Sequence, residues 1–584
     1  VTAAASERPY RFEVPIAIAV VSAPLALVIG AALVLLVRRW TVAVKACWVV
    51  SALAALVLVA PMWPVADLRA PWVPGTPDVA LPLALHVDAL TIALAAAAAV
   101  IAVATALADA LAAPPWRVVV GRQLAYGVAL LVIAAADLAV AASAVLLLPV
   151  ASGLAQYSDD ERALPMLGAL LAAGMALLAA ASFGAATLLG FLALLGAAVF
   201  LLFQAPFVGL GEVALGGRAG AFPTNVATLF LPALAIVIRF GVESSEPWRL
   251  QLWSAFGVAT MVWAGFRAAQ SREMVSLLAA LASLHAGASL VALGQGIAPT
   301  QPAAIVIGPS AVLAIATLAL VSDRLTERIG SVDIAGLRGL AYAFPLSAVV
   351  IVAACLALGP LPLLGGAPVG GLVSLAGAWS DGRVVIALLG LVGLGGAMVG
   401  LGRLVFLLVT PAPERQPLGE QPIAIAIAAL PLAVSVGAGI LAFTAWDPAA
   451  RAAIAVFGVR PRPTGGELLA LPWYGVTLAL VSLIATTLVG LALGARRARQ
   501  GWQPKSRHPV VGRGEVADGP AMPALPGLAR AEAGHEGRPL LARTARLGHF
   551  ALWAVAEGLA VLEGRYYMAT VLVLSLWALI VFLG

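Results

Sequence analysis

Run after run of about twenty apolar residues follows along this chain, with charge nearly confined to the short stretches between them. At 1.5 Å per residue, a helix of about 20 residues crosses the hydrocarbon core of a bilayer. On that ruler the sequence predicts spans near residues 15–37, 46–63, 89–113, 121–136, 138–155, 164–183, 185–206, 222–240, 251–266, 275–295, 303–322, 339–359, 384–409, 422–445, 469–494 and 566–583. The stretch from Gly121 to Ala155 is too long for one crossing, and Asp137 within it reads as a turn. Composition agrees. Of 584 residues, 62% are hydrophobic and 11% charged, against about 25% charged in soluble domains. A soluble enzyme, a disordered chain and a nucleic-acid binder are excluded together. The formal charge of +6 sits in loops, where it reads as membrane orientation rather than polyanion binding. The expected fold class is an all-α polytopic membrane protein in the lipid bilayer, with about 14 core helices. The run Pro15–Val37 is too long for a signal-peptide core and lacks a small-residue cleavage site after it, so it is expected to be retained.

One segment breaks the pattern. Gly359 and Pro360 lead into Pro362, Gly365, Gly366 and Pro368, a density of proline and glycine that removes amide donors and favours non-helical angles. Inside a membrane such a break survives only where protein or a water-filled cavity covers it. A discontinuous helix over 359–380 and an ordinary tight loop both fit. For orientation, Arg38, Arg39 and Lys45 place the first loop in the cytoplasm under the positive-inside rule. Arg117, Arg122, Arg267, Arg272, Arg324, Arg328 and Arg338 then fall on the same side. Both termini come out on the far side. Residues 495–540 form a polar linker, rich in Arg, Gly and Pro, that cannot build a core and is expected in the cytoplasm. Residues 541–564 read as an amphipathic lateral helix and 565–584 as a terminal anchor. The remaining divisions are N-terminal helices over 1–120, a first bundle over 121–295, a second over 296–445 and an additional helical region over 446–494.

Four landmarks, in order, resemble the antiporter-like subunits of respiratory complex I, Mrp-type cation/proton antiporters and membrane-bound hydrogenases. His86-Val87-Asp88-Ala89-Leu90-Thr91 is similar to the family's VDGLS entry to the third span. Glu273 to Gly287, EMVSLLAALASLHAG, resembles its DIKRLLAYSTISQIG helix. Asp333-Ile334 with Gly339-Leu340 and Pro345 looks like its next helix entry, and Leu358-Gly359-Pro360-Leu361-Pro362 like its broken helix. The lateral helix and terminal anchor are typical of the distal, largest subunit of that kind. The resemblance implies a membrane-arm subunit of a complex I-like, hydrogenase-like or Mrp-like assembly in a bacterial inner (plasma) membrane, with other membrane subunits as partners.

The same resemblance implies a glutamate on the fifth helix and lysines on the seventh, eighth and twelfth. Here the fifth-helix site falls on apolar Leu146 to Val150, the eighth-helix lysine on Val275, and the broken-helix lysine near Leu372-Val373-Ser374. No shift of alignment restores them, because only two of the 34 basic residues are lysines, Lys45 and Lys505. The lysine relay is absent. Candidates for proton handling are therefore few. His285 stands about three turns into its helix and titrates near neutral pH in ordinary surroundings; a core histidine bonded to a neighbouring helix is the plainer reading. Asp137 is an ordinary turn residue or a buried acid, and Glu273 opens the eighth helix. Asp109 is read as interfacial. Arg239, Arg267 and Arg403 are read as helix-end residues that snorkel to water.

No catalytic constellation, phosphate loop, haem or iron–sulfur ligand set appears, and Cys47 and Cys355 both lie in apolar runs. No cofactor, metal or catalytic residue of its own is expected, and redox chemistry in such an assembly would belong to other subunits. The favoured expectation is a largely structural subunit with a degenerate relay. A standalone or Mrp-type cation/proton antiporter subunit is the runner-up, along with a proton-conducting partner of an inorganic-carbon uptake system. A lipid-linked-sugar transferase would need the acidic run Asp159-Asp160-Glu161 to hold a metal; beside Arg162 that run reads as a solvated loop.

Overall fold

The structure, a computed structural model, describes residues 10–59, 67–71, 84–156, 163–185, 187–202, 222–241, 247–296, 300–329, 333–359, 366–410, 420–437 and 473–500. By contact the chain divides into two units, Val1–Gly494 and Ala495–Gly584. All described residues except 495–500 belong to the first unit. Pro360, Pro362, Gly365, the Asp159–Glu161 run, Lys505, the linker beyond residue 500, the lateral helix and the terminal anchor lie outside the described residues.

The helices in chain order are α1 (Tyr10–Val37), α2 (Thr41–Val59), α3 (Ala89–Ala112), α4 (Trp116–Ile133), α5 (Leu138–Val145), α6 (Leu148–Gln156), α7 (Ala163–Phe183), α8 (Leu188–Leu202), α9 (Phe222–Phe240), α10 (Pro247–Gln270), α11 (Met274–Gly294), α12 (Gln301–Ile329), α13 (Pro345–Leu358), α14 (Gly366–Ser380), α15 (Val384–Val409), α16 (Pro422–Gly437) and α17 (Trp473–Gln500). Among the described residues eight helices are long and apolar enough to cross a membrane, and shorter apolar helices accompany them. The chain is an all-α, multi-pass membrane protein. One small departure is a two-stranded antiparallel ribbon, β1 (Asp67–Pro71) with β2 (Ala84–Asp88), in the register Asp67 with Asp88 and Pro71 with Ala84.

Several expected spans are re-cut, each for a local reason. The single crossing over 138–155 is two helices, α5 and α6, that part at Leu146–Leu147. Pro149 stands as the second residue of α6, where its missing N–H is harmless; one turn deeper in a continuous helix its ring would strike the Val145 carbonyl. The span over 339–359 opens instead with two short turns, Ile334–Leu337 and Leu340–Ala343, before α13. Gly339 separates them at φ +71°, a left-handed conformation that costs glycine nothing. Inside α9 the backbone widens to a π-helical turn over Val226–Phe230. Pro232 follows it and offers no amide to the Thr228 carbonyl, so the widened turn accommodates a proline that an α-helical register would reject. Gly366 and Pro368 are the first and third residues of α14, in its first turn.

Small residues let the central helices touch backbone to backbone. A Cβ added at Gly257 of α10 would stand 2.6 Å from the Gly287 carbonyl of α11, and one at Gly265 would collide with the Gly393 carbonyl of α15. Neither contact admits a side chain. With little hydrophobic drive between helices in lipid, such close approach supplies the packing energy.

The basic turns gather at one end of the bundle. The Arg38 guanidinium lies 5.8 Å above the Trp116 ring, Arg324 donates to the Ala108 carbonyl at 2.6 Å, and Glu273 meets Asp333 in a backbone bridge. Thus the second and third sequence landmarks meet in space, joined by the Ile334 amide on the Arg272 carbonyl at 2.8 Å. This is the basic end of the bundle.

Candidate functional site

His285 is the twelfth residue of the 21-residue α11 and is buried, with 4% of its surface exposed. It hydrogen-bonds the main chain at Leu358, the last residue of α13. Its Nε2 meets no hydrogen-bonding partner among the described residues. The imidazole lines a narrow cavity with Met261, Leu358, Gly359, Pro368 and Ser374, where about 20 Å³ is open to the centre of a water molecule. A cavity needs about 10–15 Å³ on that measure to hold one water, and several polar partners as well. Gly359, at the end of α13, and the imidazole therefore line one small and mostly apolar enclosure.

The other two sequence candidates lie elsewhere. Asp137 caps the start of α5 with no side-chain hydrogen bond to the helix and is partly exposed. Glu273 precedes α11 and is exposed at the basic end. The structure brings neither to His285.

Two buried ion pairs lie outside those candidates. At the end of the bundle opposite the basic turns, Arg239 in the last turn of α9 does not snorkel but turns inward. Its Nη2 donates to Asp88 at 3.1 and 3.2 Å and to Thr91 Oγ1 at 2.8 Å. Its Nη1 donates to the carbonyls of Ile133 and Ala135 at 2.9 and 2.8 Å. Asp88 also caps α3, accepting from the Thr91 amide at 2.7 Å. Burial pushes the Asp88 carboxyl up, but Arg239, the Thr91 amide, His86 and the Thr91 hydroxyl together hold it below its ordinary value of 3.8. One guanidinium thus ties together the starts and ends of three helices.

Near the basic end, Arg122 donates to Asp109, whose other oxygen accepts from Trp48 Nε1 at 3.0 Å. The charge pattern of the sequence assigns Arg122 to a loop and Asp109 to the interface; both are instead buried, on α4 and α3. Arg122 lies six residues, or about 9 Å, into its helix, and a charge at that depth persists because it is paired. Gln123 Nε2 to Ser51 Oγ at 2.9 Å and Tyr126 OH with Thr105 Oγ1 at 3.3 Å extend this polar seam. A signal for this pair was present: Asp109 and Arg122 flank the Pro114-Pro115 turn from inside apolar runs. The Asp88–Arg239 pair, 151 residues apart, left no local signal.

Three residues at the expected relay sites lie in the core. Val275 is 9% exposed, Leu372 5% and Val373 1%, and Leu146 and Leu147 form the α5–α6 break. Ser374, next in line, gives its carbonyl to Gln295 Nε2 at 2.8 Å.

Against known proteins, residues 140–395 match the family described as NADH:quinone oxidoreductase/Mrp antiporter, transmembrane region. No curated protein matches the sequence. The fold is similar to a chain in respiratory complex I from Thermus thermophilus with bound NADH, at 19% identity and a TM-score of 0.64, over 76% of this chain and all of that one. It is also similar to a chain in the Mrp complex from Dietzia sp. DQ12-45-1b, at 16% identity and a TM-score of 0.59, over 78% of this chain and 99% of that one. Residues 140–395, a little under half of the chain, thus carry the match to that family, and the similarity in fold extends beyond them.

Proposed function

We propose that the chain is a membrane-arm subunit of a multisubunit ion-translocating complex in a bacterial plasma membrane, with a degenerate proton relay and a largely structural role. The observation that carries this is the apolar filling of the relay positions: where amino groups would titrate, Val275, Leu372 and Val373 pack in the core. A lysine works in such a path because burial and a neighbouring charge bring its pKa toward neutrality; a valine offers nothing in its place. The solved chains of similar fold sit in complex I and Mrp assemblies, which supports partner subunits in the membrane. The clustering of arginines at one end supports a cytoplasmic setting for that end and for the 495–540 linker.

A second reading, proton conduction through His285, is favoured by its Nε2, which has no partner among the described residues, beside the cavity. Proton flux into proteoliposomes holding the purified assembly separates the two. The structural role predicts equal flux for wild type and His285→Ala; a fall of about tenfold or more, the effect of losing a needed proton carrier, decides for conduction. Mass spectrometry of co-purified subunits identifies the assembly, and a solitary chain with transport activity would point to a standalone antiporter.

A further inference from the structure

We propose that Glu420 is a positioning residue for the helix break: its carboxylate anchors α13 from the basic end, so that the far end of that helix meets His285. The argument begins with the amides that α13 leaves open. A helix has orphan N–H groups in its first turn, and here their partners can be followed one by one. Pro345 has no N–H. The Leu346 and Ser347 amides donate to Glu420 Oε2 and Oε1 at 2.8 and 2.9 Å. The Ala348 amide donates to the Phe344 carbonyl at 3.0 Å. One carboxylate from 73 residues away therefore completes the turn, where the helix dipole favours negative charge and charge-assisted bonds are strong.

At the other end Gly359 returns its amide to the carbonyls of Cys355 and Leu356 at 3.0 and 3.3 Å, and His285 bonds the main chain at Leu358. Two side chains from outside α13, Glu420 and His285, thus hold its two ends. Between them lies a short helix. It is 14 residues long, about 21 Å, and shorter than a full crossing. Its buried face carries Ala348, Ala354 and Ala357 with the larger Ile351, Cys355 and Leu358, while Leu346 and Val349 are exposed, at 48% and 66%. On a short helix packed along one face, the end contacts add to these side chains in setting its position along its own axis. Freed at Glu420, α13 withdraws from His285 and the cavity between Leu358 and Gly371 opens. This holds whether the chain conducts protons or only supports those that do.

The test reads His285 itself. The purified assembly in detergent is treated with diethyl pyrocarbonate, and carbethoxylation of His285 is followed by mass spectrometry, with the melting temperature measured in parallel. Glu420→Ala is expected to raise the modification rate about fivefold, the factor that loss of a ~1 kcal/mol helix cap makes at room temperature. Glu420→Gln, which keeps one acceptor oxygen, should give a smaller rise. Ser143→Ala, whose hydroxyl bonds its own helix on the exposed side of α5, should leave the rate at the wild-type value. If Glu420→Ala does not fold, the Gln variant decides. A His285 rate unchanged in every folded Glu420 variant overturns the proposal, as does a rise that tracks only a fall in melting temperature and appears equally in Arg239→Met.

Discussion

The two halves of the core treat ionisable side chains in opposite ways. Among α3, α4 and α9, acids are matched by arginines: Asp88 by Arg239, and Asp109 by Arg122 with Trp48. Around α11, α13 and α14 an imidazole faces main chain and a cavity, with one nitrogen unanswered among the described residues. Arginine stays protonated, so the first region holds fixed charge whose work is to join helices. The second region instead sets an imidazole against the main chain of a neighbouring helix. Ionisable residues in a membrane therefore do not by themselves mark a path; the pairing decides.

Three measurements bear on that contrast. The largest effect is expected at Arg239. Arg239→Met leaves Asp88 buried without its cation and removes donors from two carbonyls, a loss of about 3–5 kcal/mol by analogy with broken buried pairs. Thermal unfolding in detergent should show it as a fall in melting temperature, and adding Asp88→Asn should recover part of the loss. If the single variant is neutral, the junction is not holding the first region together. Gly265→Leu comes next. It forces α10 away from the Gly393 carbonyl and should cost about 1–3 kcal/mol through overpacking, with the cavity beside His285 disturbed through Met261. An equal effect on Asp88 and its partners would erase the distinction between the regions.

The smallest effect is in acid. Asp88 titrates below its ordinary 3.8 when folded, so its contribution is complete above the unfolded value and is lost as pH falls through the lower folded one. At pH ~5 to ~8 the junction should be insensitive to pH, and Asp88→Asn should flatten the loss of stability seen below pH ~4. A steep dependence near neutrality that vanishes in Asp88→Asn would contradict the paired assignment.

Legibility in the sequence depends on range. Apolar length marked α3, α9, α11 and α15 to within a few residues, because a span must be continuous to satisfy its own backbone. The His86-to-Thr91 landmark marked the entry to α3, where the structure adds the Asp88 cap. Single prolines were harder: Pro149 divides one expected span and Pro232 widens another, yet Pro309 lies inside an unbroken α12. Their effect depends on what surrounds the freed carbonyl. The long-range partnerships, Arg239 with Asp88 and Glu420 with α13, left no trace in any window of about twenty residues, the length of one span. His285 was legible as a candidate, but not its contact with Leu358.

The widened turn at Val226–Phe230 has a corollary for how this helix is compared with others. It takes up one residue more than an α-helical turn, and each residue advances the helix by about 100°. Thr224 and Arg239 are thus separated by one residue more than an unbroken α-helix would place between them. Deleting a single residue there would let the turn relax to an ordinary α-helical one with Arg239 still on its acceptors, whereas a deletion between Leu231 and Arg239 would rotate the guanidinium away from them.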